Sequence, residues 1–218
     1  PAWVLDEKFC GRSALDKIAF LRGQMKKLHA TVHLLTTLDD IGWLLNIRGD
    51  DIRFNPVPLA YVMVTMEKLY LFINPEILEY PADPACHGAA DPGAAAGAGK
   101  TVRQYLEGIG VTIRPYNSIY VTAGELSGEK VLLETGRINY ALYRQVEGKN
   151  KIVDRMNPTA LEKAVKNETE IANEKKAHIK DGVAMTKFIY WMKKNIGRIP
   201  MDELSVQARL EGLRAEQE

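Results

Sequence analysis

The sequence predicts an α/β layer over residues 12–157 and an all-helical segment over residues 158–218. Three observations carry this reading. Strand-like and helix-like runs are mixed throughout 12–155, a pattern expected of neither a β-sandwich nor a helix bundle. Two β-rich runs, 59–65 and 69–73, flank the connector Met66-Glu67-Lys68 and read as a hairpin. After Asn157-Pro158 the strand signal almost vanishes.

Residues 13–29 predict a helix capped by Ser13, with Leu15, Ile18, Ala19, Leu21, Arg22 and Met25 tracing one helical face. Residues 31–37 are β-rich and free of breakers, so a helix beside a central strand opens the domain. Asp39 and Asp40 are placed to cap a short turn through Ile41 and Gly42 that leads into 43–47. The hairpin follows, and Asn74-Pro75 ends its second strand. Residues 101–107 predict a helix stopped by Gly108 and Gly110, 111–114 a strand, and 116–124 a helix. A strand at 130–134, a helix at 138–146 and a strand at 151–153 complete the layer.

Pro158 suits a first helical position and starts a short helix to Lys166. Asn167 and Glu170 form a variant capping box that opens a long helix to about Ile196, ended near Gly197 and Pro200. Its apolar stripe is Ala177, Ala184, Phe188, Trp191 and Met192, with Met185, Ile189 and Ile196 offset. A last helix, 202–217, presents Leu204, Ala208 and Leu210. Two helices alone cannot bury these stripes, so the segment needs a partner.

A hydrophobic content of 46% and a charged content of 26% are ordinary for a globular chain of 218 residues. That length suits one large domain, or one ordinary domain plus a fragment. The net charge of +1 provides no field for nucleic acid or an anionic membrane, and Lys175-Lys176 and Lys193-Lys194 read as solvated helix faces. No apolar run is long enough to span a bilayer. Cys10 and Cys86 both fall in segments that read as loop; they form neither a disulfide framework nor a zinc spacing, which suits a reducing compartment. The chain starts at Pro1 without an initiator Met or a signal pattern and stops at Glu218 inside a helical pattern, so it reads as a segment of a longer protein.

Few motifs carry chemistry. Gly93 and Gly99-Lys100-Thr101 have five residues between the two glycines, where a phosphate loop needs four, and no strong strand precedes them. The Ala/Gly-rich stretch at about 80–100 therefore reads as a surface insertion. His29, His33, His87 and His178 lack partners at metal-ligand spacing. Asp39-Asp40 and Asp50-Asp51 are adjacent acids of the kind that cap turns, and Arg48 is placed to pair with Asp50 or Asp51. Asn55 precedes Pro56 and is held extended. The Arg48-Gly49-Asp50 string has little weight as an integrin ligand in a chain without secretory features. There is no Gly-x-Ser-x-Gly elbow, and Cys86-His87 lack a rigid frame, so no nucleophile is assigned.

The most informative block runs from Leu38 to Val57. An apolar half-turn (Ile41, Trp43, Leu44, Leu45) breaks at Asn46, then gives Arg48-Gly49-Asp50-Asp51 and Asn55-Pro56. This order closely resembles the middle domain of the three-domain, cytosolic-type Xaa-Pro aminopeptidases, in the creatinase/prolidase group of metallopeptidases. The resemblance extends to Ala60-Tyr-Val-Met-Val64 and Leu69-Tyr-Leu-Phe-Ile73. A second block spans 161–183, with Glu162, Asn167 and Ala177-His-Ile-Lys-Asp181.

The resemblance implies a creatinase N-terminal-like, ribonuclease H-like mixed sheet flanked by helices over 12–157. It implies that 158–218 are the first helices of an incomplete pita-bread catalytic domain. Its structural motif falls on Asp39, Asp40, Trp43, Asn46, Arg48, Gly49, Asp51, Asn55 and Pro56. Such a parent removes the N-terminal residue from peptides with proline second. It uses two divalent metals, usually manganese, held by two aspartates, a histidine and two glutamates that lie downstream of the Ala177–Asp181 block. No metal ligand or catalytic residue carries over, so the segment is expected to be accessory, inactive alone and without a cofactor of its own. The implied partners are the rest of its catalytic domain, a second copy in a full-length homodimer and the parent's peptide substrate, in the cytoplasm, with neither nucleic acid nor membrane. His178 and Asp181 share a helix face and stand either beside substrate in the complete protein or on a plain surface. Two other readings remain: a stand-alone, non-catalytic interaction module, and another creatinase-fold hydrolase such as prolidase or creatinase, against which the long Leu38–Val57 match argues.

Overall fold

The computed structural model describes residues 1–83 and 99–217. These form two compact units, Pro1–Val165 and Lys166–Glu218. Most of the expected insertion at about 80–100, including Cys86, His87 and Gly93, lies outside the described residues.

The first unit opens with β1 (Ala2–Val4), α1 (Glu7–Cys10), α2 (Ala14–Lys27), β2 (Val32–Leu35), α3 (Leu38–Leu45) and β3 (Ile47–Gly49). The hairpin strands β4 (Ala60–Thr65) and β5 (Leu69–Ile73) follow, then a 3-10 turn at Pro75–Leu78. Next come α4 (Val102–Gly108), β6 (Val111–Pro115), α5 (Ser118–Gly124) and β7 (Lys130–Leu133). The unit closes with α6 (Tyr140–Val146), β8 (Lys151–Asp154) and α7 (Pro158–Ala164). Six strands form one sheet in the order β6-β5-β4-β2-β7-β8. The β2–β4 and β4–β5 pairs are antiparallel, while β5–β6, β2–β7 and β7–β8 are parallel. The sheet is therefore mixed, as expected.

Alternation along each strand makes two cores. Leu35, Val62, Val64, Leu71, Ile73 and Leu132 face one side, where Ile18, Leu21 and Met25 of α2, Ile41, Leu44 and Leu45 of α3, and Val102 and Leu106 of α4 meet them. Val32, Leu34, Met63, Phe72, Val131 and Leu133 face the other side, against Ile119 and Ala123 of α5 and Leu142 and Val146 of α6. A one-residue slip of any central strand would exchange these two sets, so the apolar pattern pins the register. Local signals agree: Ser13 caps α2 by accepting from Asp16 N at 3.1 Å, and a Thr101/Gln104 capping box starts α4.

The structure corrects two expectations, at α3 and at Cys10, and adds a strand at the N-terminus. The short turn after Asp39-Asp40 is the helix α3, buried continuously from Asp40 to Leu45. The N-terminal residues join the fold before residue 12: β1 pairs antiparallel with β3, and Ala2 is buried. Cys10 is buried at the end of α1, where its Sγ faces the carbonyl oxygens of Arg12 (3.4 Å) and Leu5 (3.8 Å); it is not in a loop. The two compact units meet at Val165/Lys166. The helix α7 is tied into the first unit by Arg12–Glu162 (2.7 Å) and by Lys163 on Asp39 and Asp40.

In the second unit, α8 (Glu168–Asn195) opens on the expected Asn167/Glu170 capping box and pairs with α9 (Glu203–Ala215), capped by Asp202. Lys187–Glu216 (3.0 Å) and Arg214–Asp181 (2.7 Å) cross between the two helices. Ala184 and Leu213 are buried between them, with Met185, Phe188, Trp191 and Met192 half-buried. Ala177, Ile179, Ile189, Ile196 and Leu204 are exposed, so much of the apolar stripe has no cover within the hairpin.

Candidate functional site

The Leu38–Val57 block is organised around the two ends of α3. At its C-terminal end Asn46 takes the left-handed conformation, φ 53, that an asparagine tolerates better than most residues. Two cations converge there. Lys17, from α2, is 1% exposed; its Nζ donates to Trp43 O (3.0 Å) and Asn46 Oδ1 (2.6 Å) and sits 4.6 Å from the Trp43 ring centroid. Arg48 Nη1 donates to Gly42 O (3.0 Å) and Ile47 O (2.9 Å). Both satisfy terminal carbonyls and complement the negative end of the helix dipole. Asn46 Nδ2 in turn donates to Arg12 O at 2.9 Å, so one side chain fastens α3 to the start of α2.

The rest of the block is a positioned loop. A Cβ on Gly49 would stand 3.0–3.2 Å from Pro58 atoms, so only glycine fits there without a shift. Arg48 donates to the carbonyls of Gly42 and Ile47, and Asp51 Oδ2 accepts from Leu59 N at 2.7 Å. Asn55 bridges back to Ile52, its N–H donating to Ile52 O at 3.1 Å, and Pro56 O accepts from Gly49 N at 3.4 Å. At the tip, Phe54 combines φ 64 with 79% exposure, its ring 4.9 Å from the Arg53 guanidinium.

The N-terminal end of α3 holds a buried polar network. Asp40 Oδ2 accepts from Thr37 Oγ1 (2.5 Å) and from Asn157 Nδ2 (2.9 Å), and Asp40 Oδ1 is 3.0 Å from Lys163 Nζ. Lys163 also pairs with Asp39. Asn157 Oδ1 accepts from Thr159 N (3.2 Å), capping α7, and faces His33 Nε2 at 3.2 Å; His33 Nδ1 faces Leu132 O at 2.9 Å. Burial pushes the His33 pKa down, against the opposing pull of the Leu132 carbonyl, Asn157 and the Asp40 charge. Burial also works to raise the Asp39 pKa, but the hydrogen bond and charge of Lys163 outweigh it and hold the carboxyl low. The converse raises Lys163: its two carboxylates outweigh its own desolvation.

This arrangement ties α3 to α7 and to the central strand β2. Asp39 and Asp40 are the densest acids in the motif, and an ammonium already sits between them. Among the described residues, no group of three or more His, Cys, Asp or Glu is placed to hold an ion. The motif residues do come together, but as a scaffold around α3. Lys17, His33, Asn157, Lys163 and Phe54 belong to that scaffold, a role that no local pattern of the sequence assigns to them. Only Asn157 left a signal, as a capping residue before Pro158. In the second unit His178 is exposed, and Asp181 accepts from Arg214 Nε at 2.7 Å.

A model of the creatinase/prolidase N-terminal domain matches residues 1–170. The chain belongs to that family. Among proteins similar to it, Xaa-Pro aminopeptidase 1 of Dictyostelium discoideum is 37% identical over 221 residues, covering 99% of this chain and 32% of that protein. A probable Xaa-Pro aminopeptidase P of Laccaria bicolor is 33% identical, covering 97% of this chain and 30% of that protein. The X-prolyl aminopeptidase of Caenorhabditis elegans, described as a cytosolic enzyme with a di-nuclear active site, superposes with a TM-score of 0.81 at 26% identity. It covers all of this chain, which in turn covers 33% of it. The Xaa-Pro dipeptidase of Bacillus anthracis shares the fold at 15% identity, with a TM-score of 0.57. This creatinase-type chain thus spans about a third of the length of the curated relatives it matches. No helix among its described residues is long and apolar enough to cross a membrane.

Proposed function

We propose that the chain is the accessory segment of an Xaa-Pro aminopeptidase, a longer protein that removes the N-terminal residue from peptides with proline in second position. The observation that carries this reading is the similarity to Xaa-Pro aminopeptidase 1 over 99% of the chain, which includes the α/β unit and both helices of the second unit. Residues 12–157 then serve as the α/β domain beside the active site, and 158–218 as the first helices of the pita-bread catalytic domain. The exposed apolar residues of the second unit, among them Ile179 and Ile189 of α8 and Leu204 of α9, support this, because a larger domain would bury them. Two divalent metals, manganese by the family's habit, would be held by the parent's downstream residues and activate the attacking water. We place the parent in the cytoplasm as a homodimer.

The test is hydrolysis by the protein from the complete reading frame, with manganese supplied. Arg-Pro-Pro should be cleaved after the first residue, Arg-Ala-Ala should not, and the 218-residue chain should cleave neither. Preference for dipeptides over the tripeptide would point to a prolidase instead. No cleavage by the complete protein would favour an interaction module.

A further inference from the structure

The sheet has two edges of different character. β6 ends in Pro115, and Arg114 lies over the Tyr70 ring at 5.1 Å, features that blunt an edge. β8 has no proline, and its single strand neighbour among the described residues is β7. Lys151 N donates to Glu129 O (2.8 Å) and Arg155 N to Leu133 O (3.2 Å), so residues 151, 153 and 155 turn their backbone groups toward β7. By the alternation of a parallel ladder, Ile152 and Asp154 turn theirs outward. A groove of about 340 Å³ opens on the face of the sheet beside this strand, between Leu28 and His29 at the end of α2 and Lys130 with residues 151–155.

The charge around the groove is one-sided. Lys130, Lys151 and Arg155 are exposed cations, and His29 is an exposed imidazole. The one lining acid, Asp154, is engaged elsewhere: its carboxylate accepts from Thr135 N (3.1 Å) and Thr135 Oγ1 (2.6 Å). Arg155 Nη1 donates to Asp154 O at 2.7 Å, which sets the guanidinium over the last outward carbonyl of the strand. We propose that β8 accepts an extended, acidic peptide segment as a seventh strand of the sheet. The N–H and C=O of Ile152 and the N–H of Asp154 supply the ladder, the Asp154 carbonyl being held by Arg155, and Lys151 and Arg155 select acidic side chains. The strand is about 13 Å long at the usual rise, so four or five residues of the partner fill it. This proposal does not depend on the peptidase reading.

The probe is a fluorescein-labelled hexapeptide of alternating valine and glutamate, titrated against the whole chain by anisotropy. Two further peptides serve as controls, one with lysine for glutamate and one N-methylated at alternate amides. Saturable binding of the acidic peptide is expected, weaker by about tenfold or more for each control. The double variant K151E/R155E should show a comparable loss. Bound peptide should also slow amide exchange at Ile152 and Asp154. Equal binding of the N-methylated peptide would mean charge attraction alone and overturn the proposal. So would equal binding of the lysine peptide, no binding at millimolar concentration, or self-association of the chain through β8. The peptide-side controls leave the protein untouched, so a variant that fails to fold does not obscure the answer.

Discussion

At the scale of single residues, Lys17 and His33 show how buried polar groups hold this fold. Lys17 links the body of α2 to the last carbonyls of α3 through a charged donor, and both its acceptors are buried with it. Lys17→Met keeps the aliphatic volume but strips the donor from Trp43 O and Asn46 Oδ1. We expect a loss of about 1–3 kcal/mol in urea unfolding; unchanged stability would show that the buried charge costs as much as its bonds return. His33 makes a pH prediction. Its pKa in the folded chain lies below the ordinary 6.5, so the unfolded chain takes up a proton that the folded chain refuses. Its contribution is therefore fully present above 6.5 and is lost as pH falls toward the folded value. Between about pH 7 and pH 5, stability should fall more steeply in the wild type than in His33→Gln; parallel pH profiles would remove His33 from the account. Neither residue was legible in the sequence. A lysine amid a helical pattern and a histidine in a strand look like any others until the long-range partners Asn46, Leu132 and Asn157 arrive.

At the scale of elements, the sequence was far more informative, for a physical reason. The strands carry apolar residues on both faces, and Ser13, Asn74, Thr101, Asn139, Asn167 and Asp202 each accept a backbone N–H at the start of a helix or helical turn. Periodicity and caps are local, so they can be read locally. α3 was underestimated because Asp39, Asp40 and Gly42 look like turn residues; its helical state depends on tertiary contacts, with α2 behind it and Arg48 closing its end. The short β1, three residues long, carries no period to be read from sequence. Gly49→Ala tests the element that follows α3. A Cβ there meets Pro58 backbone atoms at 3.1–3.2 Å and its Cβ at 3.0 Å, so β3 and the loop must shift. We expect a cost of about 1–3 kcal/mol, read by chemical denaturation. Gly23→Ala, where a Cβ meets nothing within 4 Å, should instead be neutral or stabilising. Equal effects at both glycines would contradict the packing argument.

At the scale of the molecule, the chain combines a complete α/β core with a helical hairpin whose apolar side is largely uncovered. Its motif residues are spent on structure: Lys163 neutralises Asp39 and Asp40, and Asp51 holds a backbone N–H. The 218-residue chain should therefore bind manganese no more tightly than about millimolar, because no three ligands converge on one point among its described residues. A stoichiometric micromolar site in calorimetry would reverse that conclusion. The central claim, an accessory segment whose chemistry lies downstream, is tested most directly by sequencing the reading frame past the codon for Glu218. The account predicts continuation into a domain with two aspartates, a histidine and two glutamates at metal-ligand positions. A stop codon directly after Glu218 would contradict it and make the chain an interaction module.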